Sequence, residues 1–361
     1  MKSPAFNELS VPAWREGPLR IVAIGGGSGL STVLHGLKAY AHPTEQGGSD
    51  APFSRPPLVE ITAVVTVTDD GGSSGRLRRD FKVLAPGDIR SCMVALSEDA
   101  TLLSRLFQYR FASGRGLKGH SFGNLFLTAL TNVTGDFAQA VKVSSEVLNI
   151  AGRIYPSTAA NVALEAELAR GARVLGETKI SKSRARIRRV RLRPEQCLPL
   201  EETLGAIAEA DLISFGPGSL FTSVVPNVLV EGIPQAIAKA AAVKAYFVNL
   251  MWQPGETMHF TAAEHVAALA EHAGMNLLDY VVVNTRPIDP HLLEDYAQHK
   301  VLPVGNDLER LNGMGVNIVA RNLVEEGLKI RHDPAATAAV ALELAAEGRR
   351  RKLEQNLLAG H

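Results

Sequence analysis

The chain has 361 residues, of which 46% are hydrophobic and 21% charged, enough apolar material for a sizeable core and too much for a disordered or fibrous polypeptide. Its 38 Lys+Arg against 37 Asp+Glu leave a net charge of +1, so no overall field draws it to nucleic acid or a membrane surface. No apolar run reaches the ~20 residues of a membrane span, and Cys92 and Cys197 stand too far apart in sequence for a zinc or disulfide framework. The N-terminus lacks the apolar stretch of a secretory signal, and a cytoplasmic location is expected.

In chain order, residues 1–18 carry Pro4, Pro12 and Pro18 without apolar periodicity and read as a tail. Leu19–Ile24 is a short apolar strand entering Gly25–Gly29, and Leu30, Val33, Leu34 and Leu37 follow at helical spacing. Residues 41–57, rich in glycine and proline, form a surface insertion. Ile61–Thr68 has the β-branched, continuously apolar character of a buried parallel strand. From about Ser91 to Ala169 the pattern reads as mostly helical, broken at Gly114–Gly123 and Gly152–Pro156. Asp211–Phe215, Ala245–Leu250 and Tyr280–Asn284 are further strands, separated by alanine-rich helices, and Pro334 opens a closing helix. Alternating strands and helices predict a Rossmann-like α/β fold: a mostly parallel sheet with helices on both faces. The organisation expected is a tail (1–18), one α/β domain (19–335) and a C-terminal helix and tail (336–361). Within the domain lie the 41–57 insertion, a helical segment at 114–170 and a small basic β-hairpin at 178–193.

The polar motifs sit where these strands end. Gly25, Gly26, Gly27, Ser28 and Gly29 let the backbone turn sharply beside a ligand, and the following helix aims free amides at a phosphate. The spacing is neither the dinucleotide fingerprint nor a Walker loop. Thr68–Asp69–Asp70 closes the next strand and runs into Gly71–Gly72–Ser73–Ser74–Gly75–Arg76–Leu77–Arg78. Its carboxylates suit ribose hydroxyls or a magnesium ion, and its arginines suit phosphate. Asp88 and Arg90 in Pro86–Arg90 add another acid and base. In Gly119–Asn124, Ser121 is either a plain helix cap or part of a site shaped by His120 and Asn124. Gly216–Pro217–Gly218–Ser219, with Thr222 and Ser223, repeats the strand, glycine turn and helix start. Asn249, Gln253, Glu256 and Thr257 make a polar loop suited to a base or sugar.

Basic residues crowd Lys179–Arg193, without interleaved aromatics. A charged sheet edge explains them, and nucleic acid is not the expected partner. No nucleophile elbow and no zinc spacing among His259, His265 and His272 is present.

Taken together, GGGSGL at 25–30, TDDGGSSGRLR at 68–78, PGDIR at 86–90, GHSFGN at 119–124, GPGSLFTS at 216–223, PNVLV at 226–230 and QPGET at 253–257 resemble the YvcK-like gluconeogenesis factors. That family is related to the CofD-like 2-phospho-L-lactate transferases. The match runs from about residue 20 to about 335. The resemblance implies a Rossmann-like fold with one large cleft in a bacterial cytoplasmic protein needed for cell shape and growth on gluconeogenic carbon. It also implies binding of a UDP-sugar, notably UDP-N-acetylglucosamine, and an influence on peptidoglycan precursor supply through glucosamine-6-phosphate synthase. A homo-oligomer is expected, with NAD and GDP as less favoured ligands. By resemblance Arg331, in Arg331–Pro334, reaches the ligand.

The diphosphate is expected across the helix starts after Gly29 and Gly218, with Ser28 and Ser219 as hydroxyl donors. Asp69 and Asp70 would address ribose or magnesium, Arg76 and Arg90 the phosphates, and Asn249 and Glu256 the base or sugar. Gly25, Gly26, Gly27, Thr68, Ser74, Gly75, Asp88, His120, Asn124, Gly216, Thr222 and Thr257 complete the expected site. The alternative is a magnesium-dependent phosphoryl or nucleotidyl transferase with Asp69 and Asp70 as its catalytic acids. In that case Gly71–Arg78 departs from the loop that serves the related transferases' deazaflavin substrate.

Overall fold

The computed structural model describes residues 17–41, 58–97, 102–183, 185–325, 327 and 329–359; the 1–16 part of the tail and 42–57 of the insertion lie outside them. β1 (Leu19–Gly25) feeds α1 (Gly27–Ala41), whose buried stripe Leu30, Val33, Leu34 and Leu37 covers the sheet. β2 (Val59–Val65) follows, then α2 (Gly72–Phe81), α3 (Gly87–Leu96), α4 (Leu102–Gln108), α5 (Phe122–Thr134) and α6 (Phe137–Val147). β3 (Arg153–Pro156) leads to β4 (Ala163–Leu168), β5 (Arg173–Leu175), α7 (Glu177–Lys182) and β6 (Ile187–Arg193). The chain returns through α8 (Glu201–Glu209) to β7 (Leu212–Phe215), a π-helical turn at Leu220–Val224, α9 (Val225–Val228) and α10 (Ile233–Lys239). Then come β8 (Val243–Phe247), α11 (Ala262–Ala273), β9 (Tyr280–Asn284), α12 (Pro290–Gln298), α13 (Leu308–Gly313) and β10 (Asn317–Arg321). The short pair β11 (Val324–Glu325) and β12 (Arg331–His332) precedes α14 (Pro334–Ala359).

Seven parallel strands form the central sheet in the order β10-β9-β8-β7-β1-β2-β3. The first crossovers build outward from β1 through β2 to β3. The later ones start on the other side of β1, at β7, and build the opposite way. Strand order therefore reverses between β1 and β7, and a crevice opens there beyond the carboxyl ends of the strands. β7 is buried along its whole length, and β1 and β2 along nearly all of theirs, as strands covered on both faces must be. No single helix among the described residues is long and apolar enough to cross a membrane.

Two expectations fail in the middle of the chain. The segment 114–170 is helical only as far as Val147. Ala163–Leu168 is built of helix-favouring Ala, Leu and Glu, yet it is a strand that buries Leu164, Ala166 and Leu168 on alternate positions. The basic hairpin at 178–193 is not one: Glu177–Lys182 form α7, and β6 pairs antiparallel with β4, which lies between it and β5. This pairing sets Arg191 opposite Glu165 and Arg189 opposite Glu167. Side-chain ion pairs follow, Arg193 to Glu165 at 2.6 Å and Arg188 to Glu167 at 3.1 Å. Opposite charges thus face each other across the β4–β6 ladder, in place of the hairpin expected within 178–193.

The closing helix is part of the same core. α14 packs on α1, β1, β7 and β8, and a Cβ on Gly36 or Gly348 would collide with the Pro334 or Asp211 carbonyl. Asp211, 1% exposed, receives Arg349 Nε at 3.0 Å, Arg349 Nη2 at 2.7 Å, Lys352 Nζ at 3.1 Å and the Arg20 amide at 2.8 Å. Burial alone would raise this carboxyl's pKa; the hydrogen bonds from Arg349 and the Arg20 amide, with the Lys352 charge, hold it below the usual range.

Asp211→Ala removes the buried carboxylate that accepts from Arg349 and Lys352 and is expected to cost about 3–5 kcal/mol in urea unfolding at pH 7. Because the folded pKa is depressed, Asp211's contribution is complete above the ordinary carboxylate pKa and fades as pH falls through the folded one. The gap between wild type and variant should therefore close in acid.

Candidate functional site

The cleft is made by two glycine turns pressed together. A Cβ on Gly29 would collide with the Pro217 carbonyl, and one on Gly26 would meet Thr66 Cγ2 and the Asp88 carboxylate. Gly27 (φ 61°) and Gly216 (φ 67°) occupy left-handed backbone, and the Gly216–Pro217 peptide is cis. Asn249 braces the second turn: its Oδ1 accepts from the Gly218 amide at 3.2 Å, and its Nδ2 donates to Gln253 Oε1 at 3.2 Å. Gln253 in turn donates from Nε2 to Ser219 Oγ at 2.8 Å, while its amide donates to Thr257 Oγ1 at 3.1 Å. Buried Asn227 ties the first turn down, donating to the Gly25 carbonyl at 3.2 Å.

Between the turns lies a cavity of about 420 Å³, opening onto the start of α1. Gly26, Gly27, Ser28, Gly29, Asp88, Gly218, Ser219, Asn249 and Arg331 line it, so nine expected residues meet in one place. An adjoining lobe of about 320 Å³ shares Ser28, Thr32, Arg331 and His332 with it. The 15-residue α1 presents its N-terminal amides and the positive end of its dipole to this space, an arrangement suited to phosphate.

Acids crowd beneath it. Burial and the charge of Asp69 push Asp88 up to about 7, against the pull of the Gly27 amide and Arg90. Burial, then the charges of Asp88, Asp69, Glu256 and Asp70, push Glu177 up to about 9. Glu256 is also raised by burial; its Oε1 accepts from Thr222 Oγ1 at 3.0 Å, and its Oε2 has no hydrogen-bond partner among the described residues. Acids that hold protons near neutrality withdraw negative charge from the floor of an anion site.

Other expected residues stand behind the cleft. Thr68 is buried, sharing a hydrogen bond with Thr66 at 3.1 Å and donating to Glu177 Oε2 at 3.4 Å. Asp69 Oδ1 accepts from the Gly71 amide at 2.8 Å. Asp70 is drawn away to α7, where its Oδ1 accepts from Thr178 N at 2.8 Å and Thr178 Oγ1 at 2.7 Å. No group of three His, Cys, Asp or Glu residues among the described residues is placed to hold a metal ion.

A second set fastens helices together. His120 Nδ1 meets Ser73 Oγ at 3.0 Å, Asn124 Nδ2 donates to Ser74 Oγ at 3.4 Å, and Arg90 Nε donates to Asn124 Oδ1 at 3.1 Å. Ser121 caps α5 through the Asn124 amide. Arg76 donates to the Lys118 carbonyl at 2.8 Å, outside the cleft. Gly75 is a packing glycine, since a Cβ there would strike the Asp70 carbonyl.

Glu177, Thr32, Trp252 and His332 line the cleft without having been singled out. Thr32 lies one turn beyond Ser28 on α1, a placement helical spacing reveals. Glu177 carries no such signal, because it arrives from the small sheet only through tertiary packing.

Comparison with known proteins gives a consistent picture. Residues 21–324 match the family model described as 2-phospho-L-lactate transferase CofD. The gluconeogenesis factor of Bacillus subtilis (strain 168) is 46% identical over 91% of this chain and 98% of its own length. That of Halalkalibacterium halodurans is 43% identical over 90% of this chain and 95% of its own length. A crystal structure of a UPF0052-family protein from Bacillus halodurans superposes with a TM-score of 0.83 at 42% identity, covering 90% of this chain and 99% of that one.

Gly29→Ala should force the two turns apart and cost about 1–3 kcal/mol in denaturant unfolding. Glu177 titrates with its folded pKa above the unfolded one, so between pH 4.5 and about 9 the native state keeps a proton that the unfolded chain releases. Wild-type stability should fall with rising pH in that window, by at most about 1.4 kcal/mol per unit for this group. Glu177→Gln should flatten the slope and match or exceed wild type at pH 8. An unaltered slope would show that Glu177 is ionised like a surface acid.

Proposed function

The chain belongs to the CofD family and, within it, to the gluconeogenesis factors, and from this premise we propose that it is a regulatory protein that binds a nucleotide sugar of the UDP-N-acetylglucosamine type. One observation carries the reading: the switch-point cleft offers amides, hydroxyls and a helix start to an anion, and it continues into a second lobe with room for another moiety. The diphosphate lies between the Gly27–Gly29 and Gly218–Ser219 turns, with Ser28, Ser219 and Thr32 as hydroxyl donors. Trp252 gives a flat surface for a base, and Asn249 and Gln253 supply amide edges. Arg331 stands between the lobes, where a guanidinium meets phosphate or sugar.

As a sensor the protein needs only a ligand that prefers one arrangement of the cleft over another. In the cytoplasm it would couple UDP-sugar level to peptidoglycan precursor supply and cell shape on gluconeogenic carbon, with glucosamine-6-phosphate synthase as the proposed partner and a self-associated state. A second reading, magnesium-dependent phosphoryl or nucleotidyl transfer, draws support from the raised pKa values of Asp88 and Glu177 beside the cleft. A magnesium ion bound with a diphosphate would be held by one or two carboxylates, with water completing its shell. Asp88, on the cleft wall, and Asp69 are the acids suited to this; Asp70 is engaged by Thr178.

Calorimetric titration with UDP-N-acetylglucosamine, GDP and NAD, each with and without magnesium, tests both readings. UDP-N-acetylglucosamine is expected to bind most tightly, and at 100 times its dissociation constant to add about 2.7 kcal/mol of stability. Arg331→Ala and Ser28→Asp should each weaken it about tenfold or more while the fold persists. Absence of heat and of thermal shift at millimolar ligand removes the regulatory reading. Metal-dependent turnover lost in Asp88→Asn would establish the transferase instead.

A further inference from the structure

On the far side of the Asp69–Asp70 turn lies a second groove, of about 420 Å³, between the C-terminal end of α2, the start of α7 and the outer face of β4 and β5. Arg78, Arg79, Lys82 and Lys179 converge on it, against the single carboxylate of Asp70. That carboxylate is committed to Thr178, as described above. Arg78 spends its guanidinium on neutral acceptors, the Thr68 and Val162 carbonyls and Asn161 Oδ1, so its charge is not cancelled by a directly bonded acid. Arg79, Lys82 and Lys179 are exposed and form no ion pair among the described residues.

This sets the groove apart from the neighbouring basic strand. On β6, Arg188, Arg191 and Arg193 are answered by Glu165, Glu167 and Glu195. Arg79, Lys82 and Lys179, without ion pairs among the described residues, are thus gathered in a concavity beside Arg78, whose charge Asp70, Asp69 and Glu177 favour from a distance. Lys82, which caps α2 in left-handed backbone (φ 58°), lines the groove beside Arg78 and Arg79.

We propose that this groove is a second binding site, for a small multivalent oxyanion such as a phosphate ester or a polycarboxylate, separate from the switch-point cleft. Three exposed cations and the hydrogen-bonded Arg78 line a volume that suits a metabolite and not a polymer backbone. The site touches the cleft's framework at one point, since Gly176 lines the groove and the next residue, Glu177, lines the cleft. The proposal stands whether or not the cleft takes a UDP-sugar.

The test is calorimetric titration of the full chain with inorganic pyrophosphate, citrate and acetate at fixed ionic strength. Ser28→Asp places a negative charge in the cleft and should weaken phosphate binding there about tenfold or more; Arg79→Ala/Lys82→Gly/Lys179→Ala strips the groove at exposed positions. The Ser28→Asp protein is expected to bind pyrophosphate or citrate more tightly than acetate, and adding the triple substitution should weaken that binding at least about tenfold. The tighter of the two anions identifies the phosphate or the carboxylate class. Loss of all pyrophosphate and citrate binding in Ser28→Asp, or undiminished binding after the triple substitution, overturns the site. So does a short RNA that binds Ser28→Asp more tightly than either anion. Loss of UDP-N-acetylglucosamine binding in Ser28→Asp alone concerns the cleft and leaves the groove untouched.

Discussion

The constraint on which the cleft depends is the contact of Gly29 with the Pro217 carbonyl. It joins the first crossover, which leaves β1, to the one that leaves β7, and those strands are neighbours because the sheet reverses direction between them. With no side chain between the turns, the start of α1 and the Gly216–Ser219 turn share one space. A Cβ at Gly29 would separate them and remove the cleft's narrow floor. Asn227, reaching from α9 to the Gly25 carbonyl, and Asn249, reaching from beyond β8 to the Gly218 amide, hold the two turns in place from either side.

The same packing creates the electrostatics. Bringing the ends of β1, β2 and β7 together also sets the charge of Asp69 against ionisation of Asp88, and the charges of Asp88, Asp69 and Glu256 against ionisation of Glu177. Protons on Asp88 and Glu177 relieve that repulsion near neutral pH. An anion between the turns would meet amides, hydroxyls and acids that carry less negative charge near neutral pH than surface carboxylates do. Behind this floor, Ser73, Ser74, Arg90, His120 and Asn124 bind α2, α3 and α5 to one another. The polar motifs thus divide into a lining and a fastening, although in sequence the two look alike.

Asp69 and Asp70 show how finely that division runs. They are adjacent in the chain, yet Asp69 bonds within its own turn and adds to the acid cluster, while Asp70 clasps the start of α7. The three-stranded sheet carrying α7 is thereby tied to the central sheet, and Glu177 is delivered to the cleft. α14 does comparable work at the opposite end of the strands, with Arg349 and Lys352 gripping buried Asp211.

Local pattern sufficed wherever the information was local. The strand, glycine turn and helix at 19–41 and 212–224, the β-branched run before Thr68 and the closing helix from Pro334 follow from periodicity and backbone freedom that each segment carries in itself. Eight cleft residues were legible for that reason, since parallel crossovers place every such turn at one rim; Arg331 was expected from the family resemblance alone. Ala163–Leu168 was not, since alanine, leucine and glutamate favour a helix until arginines of β6 pair with Glu165 and Glu167 across a ladder. Glu177, the far-side commitment of Asp70 and the gathering of Arg79, Lys82 and Lys179 belong to the same kind. Which charges face each other, and which stay unanswered, depends on distances between segments remote in sequence, and those exist only once the chain has packed.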